Sequence, residues 1–172
     1  MTVLAESTCP NTSKGKYPWI RHRESRRVVG DDVYVFSDGS SLGGFGAVLV
    51  QADVAPLVLL GFERPGPTRN IAAELNGALL GLSNVRADAS VVLVADYLGV
   101  AAWLTQNWKI KDMIVRAKID EIKDVIRANW LTVKYVHHRG HQKPVEGDDF
   151  TAYNKLADNA ATRANSERSG QR

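Results

Sequence analysis

The sequence predicts one α/β domain in which an antiparallel meander is followed by parallel strands and packed helices. Three β-prone runs, residues 33–37, 45–51 and 57–62, succeed one another across short links, as strands joined by tight turns do. A continuous apolar run, Val91-Val92-Leu93-Val94-Ala95, then stands between two segments of helical period, the pattern of a strand covered on both faces. The chain of 172 residues suits one domain with a full core.

Composition narrows the class. Hydrophobic residues make up 44% and charged residues 24%, ordinary values for a globular protein. The net charge of +3 is compatible with a polyanionic partner without identifying one. The single cysteine, Cys9, excludes an internal disulfide and a multi-cysteine zinc site. No apolar run has the length of a membrane span, and the N-terminus lacks the basic-then-apolar order of a secretion signal. A cytoplasmic protein with no membrane partner is expected.

Taken in order, residues 1–30 are polar and basic, with Lys14, Lys16, Arg21, Arg23, Arg26 and Arg27 around Tyr17-Pro18-Trp19. They read either as a loosely ordered leader or as a basic arm whose aromatic residues stack on nucleic acid. The domain proper is expected over 31–165, with a polar tail at 166–172. Strand one, 33–37, ends in Asp38-Gly39, which is a turn pair or, alternatively, the start of a site. Strand two covers 45–51, and a turn at Ala52-Asp53 leads to strand three, 57–62. Pro65-Gly66-Pro67 stops that strand.

Residues 68–85 carry Ile71, Leu75, Ala78, Leu79 and Leu82 on one helical stripe. Glu74 sits beside that stripe, where it reads as a solvated charge or as a group turned toward the core. Asp96 closes the apolar strand 91–95. Helices follow at 98–107 and 113–129, the latter with Ile114, Ile119, Ile122 and Ile126. The connection from the strand suits a parallel, right-handed crossover. A last strand, 131–136, runs into the polar loop His137-His138-Arg139-Gly140-His141, and a last helix is expected over 151–164 with Asp158 beside its inner face.

Asp38 and Asp96 thus end two strands, and Glu74 and Asp158 lie near the buried sides of two helices. In an open α/β sheet, strand ends form one rim where sites assemble. Carboxylates gathered there need a compensating charge, and oxygen-only ligands favour hard cations such as Mg²⁺ or Mn²⁺. Two such ions about 4 Å apart can activate a water and stabilise the leaving oxygen in phosphodiester cleavage.

Five motifs in order carry a family resemblance: Ser37-Asp38-Gly39-Ser40, Ala73-Glu74-Leu75, Ala95-Asp96, Gly140-His141, and Asn154-Lys155-Leu156-Ala157-Asp158. Over about 33–164 the chain resembles the type 1 ribonucleases H, and its C-terminal motifs resemble those of retroviral ribonuclease H domains. The resemblance implies a five-stranded mixed sheet, three antiparallel strands then two parallel ones, flanked by helices. It implies endonucleolytic hydrolysis of the RNA strand of RNA–DNA hybrids, leaving 5′-phosphate and 3′-hydroxyl ends. The cofactor implied is Mg²⁺, with Mn²⁺ as substitute, two ions per site when substrate is bound. Asp38, Glu74, Asp96 and Asp158 take the metal-binding roles, and His141 that of a loop histidine in proton transfer or product release.

Gly39, Ser40, Asn70 and Trp108 are the expected substrate contacts. For Trp108 an anchoring role at the helix joint competes with stacking on the hybrid. The turn after Asp38 is shorter than in most cellular members, Tyr97-Leu98-Gly99 replaces small polar residues after Asp96, and the basic handle is reduced. A monomer is expected. The other readings are a different nuclease of the same superfold, exonuclease or DNA nuclease, and a hybrid-binding module without turnover.

Overall fold

A computed structural model of the chain describes residues 26–68, 70–105, 108–140, 143 and 146–169. Their elements are β1 (Val33–Gly39), β2 (Gly44–Val50), β3 (Leu57–Phe62), α1 (Asn70–Ser83), β4 (Ser90–Ala95), α2 (Leu98–Thr105), α3 (Met113–Ala128), β5 (Thr132–His137) and α4 (Asp149–Ser169). They form a five-stranded sheet of order β3-β2-β1-β4-β5. β1 and β3 pair antiparallel with β2, while β4 pairs parallel with both β1 and β5. This is the mixed sheet that the motifs imply.

Alternation along the strands sorts the two cores. Val33, Val35, Leu49, Val91 and Leu93 pack with Leu75, Leu82, Ile119 and Ile122 on one side of the sheet. Tyr34, Phe36, Val48, Val92 and Val94 pack with Phe150 and Ala157 on the other. Side chains of successive strand residues point to opposite faces, so β1 and β4, buried on both faces, read as near-continuous apolar runs. The helices α1 and α3 cover one face, and α4 covers the other. Phe36 meets Phe150 edge-on, with centroids 5.3 Å apart, a preferred aromatic geometry.

Helix ends follow from local chemistry. Asp112 caps α3, its side chain accepting hydrogen bonds from the Ile114 and Val115 amides at 2.8 and 3.0 Å. Asp148 does the same for α4, with Oδ1 accepting from the Phe150 amide at 3.2 Å and Oδ2 from the Thr151 hydroxyl at 2.6 Å.

The boundaries differ from the sequence expectation in instructive places. β1 runs on through Asp38 and Gly39, because Asp38 pairs with Gly46 and Gly39 with Phe45. The last helix begins at Asp149 and continues to Ser169, beyond the expected end at Ala164. Asn165 ties that extra turn down: its Oδ1 accepts from the Gly44 amide at 2.7 Å and its Nδ2 donates to Ser40 Oγ at 3.0 Å. Arg168 lies over the Phe62 ring.

Residues 26–28, expected within the leader, lie against the start of α4. The Asp149 amide donates to the Arg26 carbonyl at 2.8 Å, and the Val28 amide donates to Asp149 Oδ2 at 3.0 Å. Among the described residues no helix is long and apolar enough to cross a membrane.

Candidate metal centre

Strand register places the first two carboxylates. Ser37 pairs with Ala95 in the parallel β1–β4 ladder, so the next residues, Asp38 and Asp96, emerge side by side at the C-terminal rim. Asp38 is in phase with Tyr34 and Phe36, and Asp96 with Val92 and Val94, the residues that face α4.

The third carboxylate arrives from the opposite layer. α1 packs against β1 so tightly that a Cβ on Gly39 would overlap the backbone nitrogen of Glu74, and a Cβ on Gly77 would lie 2.9 Å from the Asp38 carbonyl oxygen. Glycine at these positions allows the close approach of backbones. Glu74 thereby reaches the rim, and Asp38, Glu74 and Asp96 each offer a carboxylate oxygen within 4.8 Å of the others.

The cluster concentrates negative charge around a buried acid. Glu74 is buried, and its Oε2 accepts no hydrogen bond among the described residues. Burial, together with the charges of Asp96 and Asp38, pushes its carboxyl up to about 10, against the Gly39 amide that donates to it. Three carboxylates this close cannot all ionise unaided. A hard divalent ion would remove both the repulsion and the orphaned oxygen, so the donor set fits Mg²⁺ or Mn²⁺.

The neighbours hold this rim in place. The His137 ring makes a 2.8 Å hydrogen bond through Nε2 with the Asp96 carbonyl oxygen, which requires that nitrogen to be the donor. Gly140 lies against the Asp96 carboxylate: a Cβ there would meet Asp96 Oδ2, and the Asp96 side chain would have to shift. Tyr97 packs on Trp103, with ring centroids 5.8 Å apart. Burial, and then the charge of Glu74, raise its phenol above the usual range.

Asp158 stands apart from the triad. It is half-buried on α4 and accepts from Lys155 Nζ at 2.5 Å, yet it lines the same cavity of about 680 Å³ as Asp38 and Asp96. Asn154 also lines this cavity; it is buried, and its Oδ1 has no hydrogen-bond partner among the described residues. His141 lies outside the described residues.

The expected substrate contacts are dispersed. Gly39 donates its amide to Glu74, and the Ser40 amide donates to the Gly44 carbonyl at 2.8 Å. Asn70 is exposed at the start of α1, and Trp108 is exposed between α2 and α3.

Sequence reasoning passed over His137, whose ring steadies Asp96 from the last position of β5; a histidine at the end of the last strand was its signal. Arg27, read in the sequence as one of the basic residues of a leader or nucleic-acid-binding arm, lines the cavity from before β1.

No protein-family model matches the chain, and no curated protein matches it significantly. Solved structures do. The ribonuclease H1 of the halophilic archaeon Halobacterium salinarum superposes with a TM-score of 0.60 at 22% identity, over 79% of this chain and 98% of that one. The N-terminal ribonuclease H domain of a Mycobacterium tuberculosis protein, in a fusion with maltose-binding protein, gives 0.62 at 21% identity, over 83% and 99%. LC11-RNase H1 in complex with an RNA/DNA hybrid gives 0.61 at 15% identity, over 77% and 99%. These likenesses establish that the chain has the ribonuclease H fold.

Proposed function

We propose that this protein is a divalent-metal-dependent endoribonuclease that hydrolyses the RNA strand of RNA–DNA hybrids, leaving 5′-phosphate and 3′-hydroxyl ends. The observation that carries the reading is the triad of Asp38, Glu74 and Asp96, with oxygens within 4.8 Å of one another and the buried Glu74 Oε2 lacking a partner among the described residues. A fold alone hosts many functions; three carboxylates converging at the rim of the sheet point to cation chemistry.

Asp38, Glu74 and Asp96 would hold Mg²⁺, or Mn²⁺ in its place, and Asp158 would face a second ion brought with the substrate. The bound metal supplies Lewis-acid polarisation of the phosphate and activation of water.

The chain's own residues prepare that centre. The Gly39 amide fixes the Glu74 carboxylate, the His137 ring fixes the Asp96 backbone, and Gly140 lies against the Asp96 carboxylate. His141 on that loop is proposed to move protons or release product. Asn154 keeps an unsatisfied acceptor beside the cavity, which substrate or water would fill. Gly39, Ser40, Asn70 and Trp108 are proposed to touch the hybrid around the rim.

The test is a panel of labelled substrates: RNA–DNA hybrid, double-stranded RNA and double-stranded DNA, each with Mg²⁺ and with chelator. Cleavage confined to the RNA of the hybrid, and abolished by chelator, is expected. Equal cutting of double-stranded RNA, or of DNA, favours another nuclease of this superfold. Hybrid binding without any cutting favours a binding module.

A further inference from the structure

The residues just before β1 do more than lead into the sheet. The Asp149 amide donates to the Arg26 carbonyl at 2.8 Å, the Arg26 amide lies 3.4 Å from Asp148 Oδ1, and the Val28 amide donates to Asp149 Oδ2 at 3.0 Å. Between those ties the Arg27 side chain enters the wall of the cavity that Asp38, Asp96 and Asp158 also line. The cavity is thus lined by the carboxylates of the site and by the cations Arg27, Arg139 and Lys155.

The Arg27 guanidinium has donors to spare. Its Nη1 lies 3.5 Å from Asp149 Oδ1, and the side chain is 64% exposed. That separation exceeds normal hydrogen-bond length, and an exposed pair of this kind adds about 0–1 kcal/mol. The neighbouring carboxylates are engaged in holding backbone: Asp149 takes the Val28 amide, and Asp148 takes the Thr151 hydroxyl and the Phe150 amide. A guanidinium with five N–H donors pairs readily with a phosphate.

Resting on the hybrid-cleaving reading, we propose that Arg27 contacts a backbone phosphate of the strand being cut, next to the scissile one. The strand whose phosphate reaches the triad is the one that is cut. A flanking phosphate in the same cavity belongs to that strand, which makes the segment before β1 part of the substrate-binding surface. Arg27 is on this account a positioning residue.

The experiment measures hybrid binding by fluorescence anisotropy across a salt series, in an Asp38→Asn background that does not turn over. Arg27→Gln should weaken binding about tenfold at low salt and lower the slope of log affinity against log salt by about one. Arg27→Lys should keep most of the slope, and the melting temperature should stay unchanged in both. If the parent binds hybrid and Arg27→Gln matches its affinity and slope, the role of Arg27 is overturned and the functional reading stands. If Arg27→Gln loses affinity only together with its melting temperature, and Arg27→Lys restores no slope, Arg27 is a structural tie and the proposal fails. If the parent binds no hybrid, both readings fall.

Discussion

The Gly39 amide donates to the Glu74 carboxylate at a point where residue 39 has no room for a Cβ, because the Glu74 backbone nitrogen occupies it. One glycine thus sets both the spacing of β1 from α1 and the orientation of the buried acid.

Gly39→Ala should therefore be costly. The overlapping group is backbone, which cannot swing away as a side chain can. Overpacking of this kind costs about 1–3 kcal/mol, which corresponds to a melting temperature lower by roughly 2–10 °C in a chain of this size. Gly66→Ala is the control, since a Cβ there meets nothing within 4 Å; it should melt within about 2 °C of wild type. Equal melting of the two variants would show that the β1–α1 contact is looser than described.

Glu74 makes the metal-free protein sensitive to alkali. Its folded pKa, about 10, lies above the ordinary 4.5, so the folded state holds this proton more tightly than the unfolded one. By linkage, its destabilising contribution is absent below pH 4.5 and grows as pH rises toward 10. Glu74→Gln should raise the metal-free melting temperature at pH 8 and flatten its decline with pH. Mg²⁺ should stabilise the wild type, because it binds the folded state, and stabilise the variant much less. Identical pH profiles for the two proteins would refute the assignment.

Asp148 should show the opposite sign. Burial acts to raise its pKa, but hydrogen bonds from Thr151 and backbone amides outweigh burial and hold it below the ordinary 3.8. The stability it adds is present above pH 3.8 and lost as pH falls below that value. Asp148→Ala should cost about 1–2 kcal/mol at pH 7, the usual scale for a lost cap, with the gap closing below about pH 3. Urea denaturation at the two pH values measures both; a gap independent of pH would contradict the capping role.

These features were unequally legible in the sequence. The strand 57–62 and the apolar run at 91–95 announce themselves through β-branched and leucine-rich composition between turn residues. The strand order does not: adjacency of Asp38 and Asp96 depends on β1 pairing with β4, a contact between distant segments that the family resemblance supplied. Glu74 sits on a helix at a position equally open to solvent or core, and only the close packing at Gly39 and Gly77 decides between them. The extra turn of α4 has no apolar period, and its order comes from Asn165 reaching Ser40 and Gly44 across the fold. The packing of residues 26–28 was invisible for the same reason, since their partners at the start of α4 lie more than 100 positions away.

The most direct test of the metal-centred account is single-turnover cleavage of a labelled RNA–DNA hybrid by the wild type and by Asp38→Asn at saturating Mg²⁺. Asp38→Asn removes one charge from the triad and leaves the fold intact. The account predicts cleavage of the RNA strand by the wild type and a rate at least about 100-fold lower in the variant, near 2.7 kcal/mol in barrier, with hybrid affinity little changed. A variant rate within about tenfold of wild type, roughly 1.4 kcal/mol, would contradict it.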